Sequence, residues 1–160
     1  MFRRLLVAVD GSTHAERALH EAIDLAQATK ATLTVLVVVP RPSSWLLGSP
    51  FGPAIDVPDI EEQVEREYEK LLDTSVAEVP DDVPVTKLLV RGAAAPAIIE
   101  QAERGHHDLI VMGSRGRGEV RSLVLGSVSH HVLQGTAVPT LIVHDEQSES
   151  EAAPESRQVS

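Results

Sequence analysis

Five short aliphatic runs recur along the chain, at Leu5–Val9, Leu33–Val39, Val85–Val90, Leu109–Met112 and Thr140–Val143. They are β-branched and apolar at successive positions, the pattern of strands covered on both faces; a half-exposed strand alternates instead. Helical periods separate them. In Thr13–Thr29, residues Ala15, Ala18, Leu19, Ala22, Ile23 and Ala26 repeat at the spacing of one buried helix face. Thr13 and Glu16 stand as a capping box, each side chain satisfying an orphan amide. Asp59–Val79 turns Ile60, Val64, Leu71, Leu72 and Val76 inward, with Asp59 and Glu62 as its capping pair. Six acids and two bases between Asp59 and Lys70 make the other face of that helix a wet one. Pro96–Arg104 and Gly126–Gln134 read as the third and fourth helices. The order βαβ, loop, αβαβαβ predicts an α/β fold, a single-domain open parallel five-stranded sheet with four helices on both faces and right-handed crossovers. In such sheets ligands sit beyond the carboxyl ends of the strands, where the strand order reverses.

Two regions break the alternation. Residues 40–56 are rich in Pro, Gly and Ser and read as a long loop or lid, and residues 145–160 as an acidic disordered tail. The tail's five acids and one arginine supply −4 of the chain's net charge of −10. Residues 1–144 form the folded domain, large enough to bury roughly 68–70% of its unfolded surface without staples. Composition narrows the function. The aromatics are Trp45, Tyr68, Phe2 and Phe51 alone, too few for a base-stacking platform, and the negative charge opposes a phosphate-backbone footprint. A nucleic-acid partner is therefore not expected. With no cysteine, disulfides, thiolate metal sites and cysteine nucleophiles are excluded. The apolar run before Asp10 is too short for a secretory segment, and no stretch reaches membrane-spanning length, so a cytoplasmic protein is expected.

After the fourth run the chain reads Met112-Gly-Ser-Arg-Gly-Arg-Gly-Glu-Val-Arg-Ser-Leu-Val-Leu-Gly-Ser-Val-Ser129. Gly113, Gly116 and Gly118 allow sharp turns and close approach of backbone amides to a bound group. Arg115, Arg117 and Arg121 gather positive charge in an acidic chain, and Gly126-Ser127 opens a helix whose free amides and dipole favour an anion. Composition alone also fits a surface loop whose arginines face water.

The spacing Gly113-x-x-Gly116, nine residues, Gly126-Ser127 resembles the ATP-binding signature of the universal stress protein family. Val7-Ala-Val-Asp10-Gly-Ser12, Val37-Val-Val-Pro40, Gly92-x-x-Ala95 with Ile98, and Val138-Pro-Thr-Leu-Ile-Val143 are similar to other motifs of that family, in the same order over residues 3–144. The resemblance implies a Rossmann-like, adenine nucleotide alpha hydrolase-like fold. It implies that Asp10 contacts the adenosine end of ATP, that Val38 offers backbone hydrogen bonds to adenine, and that Gly113 and Gly116 line the ribose and phosphate path. Gly126, Ser127 and Val128 are then the helix N-terminal donors to phosphate. Arg115 and Arg117 either pair with phosphate or stay solvated. It further implies a homodimer, since the last strand is an apolar edge that pairs with its copy.

The departures matter as well. There is no Walker lysine and no dinucleotide fingerprint after the first run. The seven histidines include the adjacent pairs His106-His107 and His130-His131, and none has the spacing of a helix-borne metal site. Magnesium is expected only with the triphosphate it accompanies. Ser127 lacks the surroundings of a hydrolase nucleophile. The sequence therefore points to a nucleotide-dependent regulatory module binding ATP or AMP and acting on a protein partner it does not name. The alternatives are a slow ATPase and a nucleotide-free interaction module of the same fold.

Overall fold

The computed structural model describes residues 1–41, 57–117 and 125–144. The elements run β1 (Arg4–Ala8), α1 (Thr13–Thr29), β2 (Thr32–Val39), α2 (Val57–Ala77), β3 (Val85–Arg91), α3 (Ala94–Arg104), β4 (Leu109–Gly113), α4 (Ser127–Gly135) and β5 (Thr140–Val143). The strands form one sheet in the order β3-β2-β1-β4-β5, every pair parallel. This is the five-stranded, four-helix α/β fold expected from the alternation of periods. Most of the proposed lid, beyond Pro40 and Arg41, and the whole of the proposed acidic tail lie outside the described residues.

Period-two alternation divides the buried strands between two cores. Leu5, Val7 and Val9 of the first run, with Leu33, Val35 and Val37 of β2, pack under α1 and α2. Leu6 and Leu36 point the other way, with Ile110 and Met112, against Ala95, Ile98 and Ala102 of α3 and Val132 of α4. Helices α1 and α2 thus cover one face, and α3 and α4 the other. The change of face follows from topology. The chain winds outward from β1 through β2 to β3, then crosses back over the sheet to β4, and right-handed crossovers in opposite directions place their helices on opposite sides.

Several local expectations need correction. Ser12, not Thr13, is the N-cap of α1: its backbone is extended and its hydroxyl accepts from the Ala15 amide at 3.2 Å. Thr13 is already helical. Helix α2 starts at Val57, which puts Asp59 within the first turn rather than at a cap. Ile60, expected to face inward, is 46% exposed. Helix α3 begins at Ala94, two residues before Pro96, because a proline in the first turn has no intrahelical bond to lose. Helix α4 starts at Ser127, with Gly126 as its N-cap. The third run is not covered on both faces. As β3 it is a sheet edge, with Val85, Thr86 and Lys87 exposed. The opposite edge is β5, where Leu141 is exposed.

At the amino end of the strands, Asp108 ties distant parts of the chain together. Its carboxylate accepts the amides of Arg3 and Arg4 at 2.8 and 3.1 Å. Beside it, the half-buried His107 bridges α3 and β2. Its Nδ1–H donates to the Gln101 carbonyl at 3.2 Å, which leaves Nε2 to accept the Thr34 hydroxyl at 2.9 Å. Burial is the main influence on this imidazole and holds its pKa below the ordinary 6.5, helped by the Arg4 guanidinium; the Ala102 and Gln101 carbonyls and Asp108 oppose the shift. A base with a lowered folded-state pKa is protonated more readily in the unfolded chain. The contribution of His107 to stability is therefore full above pH 6.5 and is lost as the pH falls from there through the folded-state value. Melting curves from about pH 7.5 to about pH 5 should show a steeper acid loss in the wild type than in His107→Gln. Parallel pH dependence in the two proteins refutes this.

Candidate functional site

The strand order reverses between β1 and β4: the chain leaves β1 toward β2 on one side and returns to β4 on the other. Parallel strands that diverge in this way open a crevice at their carboxyl ends. Here the crevice is a cleft of about 540 Å³, open to solvent. Asp10, Val38, Gly113, Arg115, Gly116, Gly126 and Val128 all line it. Of the eight residues singled out from the sequence, Ser127 is the exception; it is exposed on the first turn of α4 and does not line the cleft.

The floor is apolar, built from Val9, Val38, Ile98, Met112 and Val128, with the small side chains Ala8, Ala15 and Ala94 between them. One rim is the start of α4. A fixed network sets where that helix begins. The Ser114 amide extends the ladder to the Val143 carbonyl at 2.8 Å. Its carbonyl then accepts two donors, the Gly126 amide at 2.6 Å and the Ser129 hydroxyl at 2.8 Å. The same hydroxyl reaches the Gly126 carbonyl at 3.1 Å. Ser114 and Ser129 are both buried, so these bonds are shielded from competing water. The Gly126 N–H is thereby committed to the chain, which corrects the expectation that it faces an anion. The donors at this rim belong instead to the first turn of α4 that follows it, whose amides have no acceptor within the helix.

The glycines carry a second correction. A Cβ on Gly113 would stand 2.7 Å from His14 Cβ and 2.9 Å from the His14 carbonyl carbon. One on Gly116 would stand 2.7 Å from Asp10 Oδ2. Both positions are bare because the β1–α1 turn lies against them, not only to admit a ligand. Neither Ser114 nor Ser129 nor the His14 contact carries a distinguishing sequence signal. Ile98 does, as part of the Gly92-x-x-Ala95 motif. Gly118 and Arg121 lie outside the described residues. Among the described residues no group of three or more His, Asp or Glu side chains could hold a metal ion, and no helix is long and apolar enough to cross a membrane.

The model of the universal stress protein family matches residues 1–144. The chain belongs to that family. Universal stress protein YxiE of Bacillus subtilis is 34% identical over 147 residues, spanning 89% of this chain and 99% of that protein. The solved structure of the hypothetical protein MJ0577 superposes with a TM-score of 0.78 over 91% of this chain and 98% of that one, and at 22% identity it speaks to the fold alone. A universal stress protein solved in complex with cAMP is 25% identical, with a TM-score of 0.59, over 89% of this chain and 97% of the other.

Proposed function

We propose that this universal stress protein binds an adenine nucleotide, ATP above all, in the cleft between β1 and β4, and that occupancy regulates its contacts with a protein partner. The observation that carries the reading is convergence: seven residues from four separate parts of the chain line one cleft at the switch point. The cleft is also chemically divided. Its apolar floor suits the faces of a purine, and its rim, with Arg115 and the first turn of α4, suits a phosphate. The cAMP complex of a relative supports an adenine nucleotide as the class of ligand. Magnesium enters this reading on the phosphates of ATP. Hydrolysis has less to support it, because both Asp10 carboxylate oxygens already accept backbone amides. That leaves no carboxylate poised as a general base for water.

Calorimetric titration with Mg·ATP tests the proposal, with AMP and cAMP in parallel. A micromolar site corresponds to about 8 kcal/mol at standard state. At a nucleotide concentration about a hundred times Kd, the domain should gain about 2.7 kcal/mol and melt correspondingly higher. Absence of heat and of any melting shift at millimolar nucleotide sinks the proposal.

A further inference from the structure

The β1–α1 turn and the glycine loop interlock reciprocally. Asp10 leaves β1 with both carboxylate oxygens engaged. Oδ1 accepts the Ser12 amide of its own turn at 2.9 Å, and Oδ2 accepts the Arg117 amide of the glycine loop at 3.3 Å. Gly116 gives that oxygen room, since a Cβ there would stand 2.7 Å from Oδ2. In exchange, Gly11 lies beneath the Arg117 side chain, where a Cβ would stand 2.7 Å from a guanidinium nitrogen. Gly11 has φ +80, so glycine is favoured there by backbone conformation too. Gly116 is not among the positive-φ residues. Its backbone would accept alanine, and the contact that forbids a side chain is the Asp10 carboxylate.

We propose that Asp10 is a positioning residue that clasps the glycine loop through the Arg117 amide, with Gly116 kept bare to receive its carboxylate. The inference deepens the nucleotide-binding reading and rests on it. Asp10 acts on the ligand through the loop: an ionised acceptor strengthens the bond to the loop amide, and the loop is held in place before phosphate arrives. The adenine end of the cleft, on Val38 and Ile98, comes from other elements. Loosening the clasp should therefore weaken binding of the phosphates and spare the nucleoside.

The test is a double-mutant cycle on the full chain with Asp10→Ala, Gly116→Ala and the pair, read first by melting without nucleotide and then by titration with Mg·ATP and with adenosine. Once the carboxylate is gone, an alanine at 116 meets nothing, so in the Asp10→Ala background Gly116→Ala should lower the melting temperature no further. In titration, Gly116→Ala should weaken Mg·ATP about tenfold and adenosine less than about twofold. If Gly116→Ala fails to fold, Asp10→Asn reads the same ATP-against-adenosine contrast, since its amide group sets a donor against the Arg117 N–H. Additive melting losses, or ATP and adenosine affinities that fall together, overturn the clasp. A wild type that binds neither ligand instead overturns the nucleotide reading, and the melting cycle still decides the clasp.

Discussion

Gly113→Ala should cost about 3 kcal/mol of stability, at the upper end of the usual range for overpacking a buried site. The added methyl group would meet the His14 backbone at 2.9 and 3.0 Å as well as its Cβ at 2.7 Å. A flexible side chain could swing aside, but these are main-chain atoms in the first turn of α1, fixed by the Ser12 cap. Gly113 is itself buried at the end of β4 and paired with Val143 of β5, so the strand has no room to retreat. In a domain of this size such a loss lowers the melting temperature by roughly 10 °C. Differential scanning calorimetry checks the figure, and a melting temperature within a degree or two of the wild type refutes the packing argument. A loss of ligand binding in this variant therefore reports on the fold of the loop before it reports on the ligand.

Leu6→Ala should be at least as damaging. Leu6 is fully buried at the centre of β1, the middle strand of the sheet, and belongs to the core beneath α3 and α4 with Leu36, Ile110 and Ile98. Truncation removes the transfer free energy of three methyl or methylene carbons and leaves a cavity that the central strands cannot close, a loss of about 3–4 kcal/mol. Leu141→Ala on the exposed edge is the control and should change stability by less than about 0.5 kcal/mol. Chemical denaturation of both variants settles the point. Comparable losses in the two would mean that the interior relaxes far more freely than close packing allows.

Both arguments bear on what the chain reveals before it folds. The strands and helices were legible because each has a clean hydrophobic period. α1 begins and ends where its apolar repeat does, and its six inward positions are all buried. The alternation of strand and helix was enough to predict a parallel sheet with a cleft at the switch point. Edge positions were less legible. Val85–Val90 is as apolar as a central strand, yet the topology leaves β3 at the margin, where its outer residues meet water. Ile60 failed for a related reason: an apolar period shows which residues share a face, not whether anything lies opposite. In the cleft, the glycines and Asp10 drew notice for their chemistry, but their packing against one another across 100 or so residues left no trace in spacing. Ser114 and Ser129 were invisible for the same reason. A serine that serves by bridging two buried backbone carbonyls looks like any other serine until the carbonyls are placed.

The central position of β1 has a consequence for how the protein is made. Of its two neighbours, β2 follows within a few dozen residues, whereas β4 begins at Leu109, and the Asp108 carboxylate that holds the Arg3 and Arg4 amides is likewise about a hundred residues away. At about 5–20 residues per second, a ribosome needs some seconds to several tens of seconds to deliver that partner. Until then the nascent chain carries its most apolar strand with one side unpaired, and α1 lacks much of the surface it finally covers. Synthesis, rather than the finished fold, is where this sequence is most exposed to aggregation and most in need of a chaperone.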